Sequence, residues 1–450
     1  MGEPADSALS PIEERRLGAA FMRQIRARLP LVRDARVDEY VQGLGERLAL
    51  AATRDGEGAA RGEDFTFFVV DDPQVNAFAI PGGYVGLYVG LIQAMTREEQ
   101  LAGVVAHEVA HVTQRHHARA FAIGQRSSMS TAATILAAIL IGAASPEAGQ
   151  AALAAGLAAS QQRAINFTRA NEVEADRIGI EILANADYDP EAMAESFRIL
   201  RRKNRLNTAG LQLEYLRTHP LDDNRVAEAA DRAAALPDRP AAPPLDFQLF
   251  KARLLALTAE DRGAMRREFA ASRSRAYASY GLATLALGDG DARAARAAIA
   301  ELLEVAPGHP WTAFAEAELL EVEGEVDAAL ERAAELDALY PGRYSIVERR
   351  LEWLVDTRRL EEAEAVANRY LRDVDSPNPL AWRTLADVRQ RTGDPVGSHE
   401  ALARHFEALD EDELAAGQLE LALAQVPVGS QDELRLRAAL AAVSSRLERD

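Results

Sequence analysis

The segment His107-Glu108-Val109-Ala110-His111 has the residue types and spacing for chemistry. Four residues on an α-helix advance ~400°, so the two imidazoles stand ~40° apart on one face, one turn or ~6 Å along it. Imidazoles placed this way can hold one zinc ion. Glu108 then flanks the metal, close enough to take a proton from a water activated there. The bland alternative is a pair of surface histidines. Leu101, Val104, Val105, Val109 and Val112 argue against it, because they bury the same helix, and unpaired imidazoles and a carboxylate would be costly there.

A catalytic zinc takes three protein donors and keeps one position open. His117 lies six residues past His111, but a third donor there needs a Gly three residues after the second His, and that position is Gln114. If the helix continues, His117 sits ~240° off the metal face. His116 fares no better. The stronger source is Asn171-Glu172-Val173-Glu174-Ala175-Asp176. Glu172 and Asp176 share a helix face, so one carboxylate can bind zinc while the other accepts the N–H of a ligating imidazole. Glu174 is expected to point away, toward solvent.

These motifs need elements to carry them. Thr96 followed by Glu99 reads as a capping box, predicting a long helix to about Ala122. The second motif falls in a helical stretch from about Ala164 to Leu183. Glu13 to Ala52 reads as helices. Phe65 to Val70 is a β-rich run, and Ala77 to Ile80 leads through the turn Pro81-Gly82-Gly83 into a strand over Tyr84 to Val89. Four prolines in Leu236–Asp246 mark an extended linker. Beyond it, Ala283, Ala317, Leu351 and Ala386 are spaced 34, 34 and 35 residues apart. Gly290, Gly324, Arg358 and Gly393 keep that spacing, as do Ala295, Ala329, Ala363 and Ser398. Small residues at this period mark tetratricopeptide helix pairs, the third here being degenerate. The expected fold is mainly α with a small β-sheet: a metallopeptidase domain over residues 1–235, a linker over 236–246 and a tetratricopeptide-repeat solenoid over 247–450.

Composition bounds the partners. The 450 residues carry 51 Lys+Arg against 70 Asp+Glu, a net charge of −19, which argues against nucleic acid and anionic lipid. Cysteine is absent, excluding disulfides, thiolate sites and a Cys nucleophile. Met1 to Ile12 has no basic stretch followed by an apolar one, so the chain as given is expected to carry no signal peptide. Thr131–Ala144 is the longest apolar run. As a helix it spans ~21 Å, short of a bilayer core of ~30 Å, so any membrane contact is peripheral.

The two motifs, together with Asn76-Ala77-Phe78-Ala79-Ile80-Pro81-Gly82-Gly83, resemble the HtpX/CAAX-prenyl-protease superfamily of gluzincin zinc metallopeptidases. The appended repeats are similar to those of its periplasmic β-barrel-assembly-enhancing type. The resemblance implies that Glu172 is the third ligand to one Zn2+ per chain, beside His107 and His111, and that Asp176 supports the ligands from behind. It also implies a His-Pro element, here His219-Pro220, with Arg225 six residues after the His. That His either stabilises the oxyanion or occupies the open zinc position as a reversible fourth ligand, and Arg225 joins it at the oxyanion. Gly83, Tyr84, Val85 and Gly86 are expected to pair with substrate main chain by β-addition. The implied function is endopeptidase cleavage of unfolded or misassembled envelope proteins in the periplasm, with the repeats holding a client or the outer-membrane β-barrel assembly machinery. The rival is a chaperone or adaptor that works mainly through its repeats, with a latent, self-inhibited protease site.

Overall fold

The computed structural model describes residues 9–52, 65–125, 161–206, 213–237, 239 and 244–449. The apolar run Thr131–Ala144 and part of the proline-rich linker (238 and 240–243) lie outside them. The chain divides into two compact units, Met1–Asp261 and Arg262–Asp450.

The first unit opens with α1 (Pro11–Arg28) and α2 (Ala35–Ala52). Ser10 and Glu13 form a capping box on α1. Strands β1 (Thr66–Val70), β2 (Ala77–Ile80) and β3 (Tyr84–Tyr88) make one sheet in the order β1-β3-β2. β1 runs parallel to β3, with Thr66 opposite Tyr84, and β2 is antiparallel to it, with Ile80 opposite Tyr84. Gly82 and Gly83 (φ 83° and 85°) make the turn between β2 and β3, in backbone that side chains disfavour. Side chains of Phe68, Val70, Phe78, Ile80, Tyr84 and Tyr88 pack under Met22 and Ile25 of α1. Phe67 on the opposite face meets α2 at Gly45. Cover on both faces explains why these strands read as continuous apolar runs.

Next come α3 (Val89–Ala94), α4 (Glu98–Thr113) and α5 (His116–Gln125), then α6 (Gln161–Asn185), α7 (Glu191–Leu206), α8 (Glu214–Thr218), α9 (Asp223–Ala233) and α10 (Pro244–Leu257). α4 is the core helix: it packs on α2, α6, α7 and β2. Gly179 lets α6 approach α4 closely, since a Cβ there would meet the His107 backbone nitrogen at 3.2 Å and the Met193 side chain at 2.6 Å. The expected single helix through Ala122 is two. Gln114 ends α4, and Arg115 takes left-handed backbone (φ 52°) before α5 begins. The cap also differs in detail: Gln100, not Glu99, accepts from the Thr96 and Arg97 backbone.

α10 follows the linker in sequence yet packs in the first unit. Phe250 stacks on Tyr40 at 4.1 Å, and Arg253 donates to Asp34 at 2.8 Å.

The second unit is helices throughout its described residues, α11 (Arg262–Ala271) to α21 (Gln431–Arg449). The paired helices are α12 (Arg275–Gly288) with α13 (Ala292–Val305), α14 (Pro310–Val322) with α15 (Val326–Leu339), α16 (Tyr344–Asp356) with α17 (Leu360–Asp373), and α18 (Pro379–Thr392) with α19 (Pro395–Glu407). α20 (Asp412–Leu423) lies between α19 and α21. The periodic small residues sit at the crossings: Ala283, Ala317, Ala295, Ala329 and Ala363 are fully buried. Ser398 keeps its place by donating to the Ala386 carbonyl at 2.8 Å. Gly290, Gly324 and Gly393 adopt positive φ between paired helices, and Arg358 adopts it (φ 60°) in the degenerate repeat.

Candidate metal centre and active site

α4 carries His107 and His111 on the face toward α6, and α6 brings Glu172 and Asp176 opposite them. The third contributor is the end of α8. His219 caps that helix, its N–H bonded to the Tyr215 carbonyl at 2.8 Å, and its ring stacks on Tyr215 at 4.7 Å. Pro220 ends the helix there.

His107, His111, Glu172 and His219 converge, their donor atoms all within 4.8 Å of one another, and all four side chains are buried. His107 Nε2 is 3.0 Å from His111 Nε2 and 3.3 Å from His219 Nδ1. Glu172 Oε1 is 3.1 Å from His219 Nδ1 and 3.4 Å from His111 Nε2, and Glu172 Oε2 is 3.4 Å from His107 Nε2. Donors bonded tetrahedrally to a metal at about 2.0 Å stand about 3.3 Å from one another. These five contacts, 3.0 to 3.4 Å, lie near that edge, and with all four donors within 4.8 Å of one another the group fits a metal ion coordinated by three imidazoles and a carboxylate.

The surroundings favour a cation. Burial alone would pull the His107 imidazole down; hydrogen bonding to Asp176 and Glu172 outweighs it and lifts the group to about 10. Burial would raise Glu172, but the charge of His219 and the three imidazoles hold it well below the usual carboxylate range. His107 Nδ1 faces Asp176 Oδ1 at 2.9 Å, leaving Nε2 for a metal. Arg225, capped into place at the start of α9 by Asp222, donates through Nε and Nη2 to both oxygens of Asp176, each at 2.7 Å. Its Nη1 reaches Glu172 at 3.0 Å and the Pro220 carbonyl at 2.6 Å. Every guanidinium nitrogen is thus committed to the carboxylates or to the His219-Pro220 turn. Glu108 is buried, and its Oε1, 3.5 Å from His219 Nε2, has no hydrogen bond among the described residues.

Three expectations change. β3, which contains Tyr84, Val85 and Gly86, is the central strand with neighbours on both sides, so its main chain has no row of free groups to offer a peptide; Gly83 lies in the turn before it. β2 is one of the two outer strands of this sheet, and it lies beside α4. Glu174 does not point away. It accepts from Arg119 and stands 3.2 Å from His116 Nε2. His116, expected to lie off the metal face, is not among the converging donors, yet its Nδ1 stands 2.9 Å from His111 Nδ1. Spacing on a straight helix conceals this, because the left-handed Arg115 redirects the chain. The signal available in the sequence was the histidine doublet just past the motif.

Residues 35–233 match the profile of peptidase family M48. The chain is 33% identical over 448 residues to the β-barrel assembly-enhancing protease of Escherichia coli K12, covering 97% of this chain and 88% of that one. The protein of the same name in Yersinia pestis is 37% identical over 317 residues, 69% of this chain and 64% of that one. A Vibrio cholerae relative is 42% identical over 256 residues; the match takes in 57% of this chain and spans about half (51%) of that relative's length. The crystal structure of yeast Tom70 aligns at a TM-score of 0.28 and 12% identity, over 63% of this chain and 61% of that one, too low to inform fold or function.

Proposed function

Because this metalloendopeptidase belongs to peptidase family M48, we propose that it binds one Zn2+ through His107, His111 and Glu172 and cleaves unfolded or misassembled outer-membrane proteins. The observation that carries the reading is the convergence of four buried donors within 4.8 Å of one another, with Glu108 beside them. When bound, zinc supplies Lewis acidity, making a water acidic and polarising a peptide carbonyl. Glu108 takes the proton of the attacking water on its unpartnered Oε1 and hands it to the leaving amine. Asp176 holds His107 with Nε2 toward the metal. Arg225 neutralises and orients Glu172 and Asp176; with its nitrogens so committed, we assign it positioning rather than the expected oxyanion contact.

His219 is the fourth donor of a resting, closed state in this reading, because its Nδ1 stands within 3.3 Å of both His107 and Glu172. Withdrawal of the His219-Pro220 turn opens that corner to substrate. The outer strand β2 then offers main chain to an extended peptide, which suits clients recognised by lack of structure.

We place the protein in the periplasm, with residues 1–235 as the catalytic domain, 236–246 as the linker and the helical repeats that follow as the surface for clients or for the outer-membrane assembly machinery. Only the link to β-barrel assembly follows the name of the Escherichia coli relative, β-barrel assembly-enhancing protease; the periplasmic placement and the bounds follow the sequence reading. Among the described residues no helix is long and apolar enough to cross a membrane.

The test is zinc content and hydrolysis of an unfolded protein such as casein. Glu108→Gln is expected to keep one zinc and lose about 10²–10⁴-fold in turnover, the range for removing a general base. Full cleavage by a zinc-loaded Glu108→Gln enzyme would remove Glu108 from the mechanism. His219→Ala is expected to raise activity; a fall would assign His219 to the oxyanion instead.

A further inference from the structure

We propose that His116, backed by Glu174 and Arg119, determines which nitrogen of His111 faces the metal, so that zinc affinity depends on a hydrogen-bond acceptor at position 116. The inference rests on the reading of His111 as a zinc ligand and extends it outward from the site.

An imidazole that ligates through Nε2 carries its proton on Nδ1, and a buried Nδ1–H needs an acceptor. For His107 the nearest carboxylate oxygen is Asp176 Oδ1, 2.9 Å from Nδ1. For His111 the neighbouring atom is another ring nitrogen, His116 Nδ1, at 2.9 Å. Two ring nitrogens at that distance share one proton, so one must donate and the other accept. The far side of His116 decides between them. Its Nε2 lies 3.2 Å from Glu174 Oε2, and an ionised carboxylate only accepts. Arg119 donates to the same oxygen, so that oxygen accepts from both sides. His116 therefore carries its proton on Nε2 and presents a bare Nδ1 to His111. The proton of His111 is drawn to Nδ1, and its Nε2, 3.4 Å from Glu172 Oε1, is left free to bind a metal.

The backbone is built for this contact. On an uninterrupted helix a residue five positions after His111 would lie ~140° around the axis. The left-handed Arg115 brings His116 back beneath His111, and the Arg115 side chain is held by Glu14 at 3.1 Å and by the Leu9 carbonyl at 2.7 Å. His116 is buried, so no water competes easily for the acceptor position.

The experiment measures zinc dissociation constants of the full chain by chelator competition, with the thermal midpoint of each metal-free protein as a check of folding. His116→Ala is expected to weaken zinc by about 10–100-fold, the range for losing a partner behind a ligand. His116→Asn puts a carbonyl oxygen near the position of Nδ1 and is expected to recover affinity to within about threefold of the wild type. Glu174→Ala, which leaves the tautomer of His116 undirected, is expected to weaken zinc by about tenfold. If His116→Ala does not fold, the Asn and Glu174→Ala variants carry the test. Wild-type affinity in His116→Ala would overturn the proposal and leave the ligand set standing. Equal weakening in the Ala and Asn variants would also overturn it, by assigning the effect to packing. A wild-type chain that binds no zinc would remove both the proposal and the reading beneath it.

Discussion

Two arginines hold left-handed backbone, one in each unit, and their surroundings differ. Arg115 (φ 52°) is buried, and its guanidinium ties the break after α4 to Glu14 and to the Leu9 carbonyl. Arg358 (φ 60°) is exposed between α16 and α17, in a position where the neighbouring repeats have Gly290, Gly324 and Gly393. The first is a strained residue held by distant partners; the second is a substitution tolerated at a turn. The contrast extends through the units. The first unit concentrates buried charge, with Glu172, Asp176 and Arg225 drawn from helices distant in sequence. The second relies on small side chains at a fixed period and keeps many of its ion pairs at the surface, such as Arg275 with Glu301 and Glu304.

The largest expected difference comes from removing a charge in each region. Arg225→Ala leaves two buried carboxylates facing each other in the metal-free protein, which should cost the first unit about 3–5 kcal/mol. Arg275→Ala removes an exposed pair and should leave the second unit's unfolding midpoint unmoved. Hydrogen exchange on the full chain reads both units separately. Comparable losses at the two sites would erase the distinction drawn here.

A smaller effect is expected at Asp34, which caps Val37 at the start of α2 and pairs with Arg253 of α10. Burial would raise its carboxyl; the charge of Arg253 and the hydrogen bonds from it outweigh burial and hold the group far below the usual range. A carboxyl lowered on folding contributes stability that is complete above its unfolded value near 3.9 and is lost as pH falls toward the folded value. Asp34→Asn should therefore cost the first unit about 2–3 kcal/mol at pH 7. The gap to wild type should narrow below pH ~4, in the acid window where the wild type itself loses that contribution. A gap independent of pH would show that α10 is held by the Phe250–Tyr40 stack and not by charge.

The two kinds of region also differ in how far they can be read from the chain. Helical repeats are legible because each unit repeats one local solution: Ala283 and Ala317 occupy equivalent crossings, so period alone locates them. His107, Glu108 and His111 are legible because four residues on a helix define one face. The carboxylate pair on α6 follows for the same reason. The contact of His116 with His111 is not legible, since it depends on one left-handed residue that no composition rule marks. Nor is the central place of β3, because strand order is set by how β1 returns parallel to it across an intervening strand. Arg225 as an anchor of Glu172 and Asp176 required the path of α9, which local pattern does not encode.

The finest test returns to the two arginines. Left-handed backbone costs a side chain roughly 1–2 kcal/mol, and glycine gives back part of that relief through its greater freedom when unfolded. Arg358→Gly should stabilise the second unit by roughly 0.5–1 kcal/mol, since its side chain is exposed and the other repeats already use glycine there. Arg115→Gly gains the same relief but loses charge-assisted bonds to Glu14 and to the Leu9 carbonyl, each worth about 1.5–3 kcal/mol. The first unit should therefore lose about 2–5 kcal/mol on balance. The same substitution would then carry opposite signs in two backbone positions of nearly equal φ. Two stabilised variants would mean that the bonds holding Arg115 contribute little, and that the break after α4 follows from the turn itself.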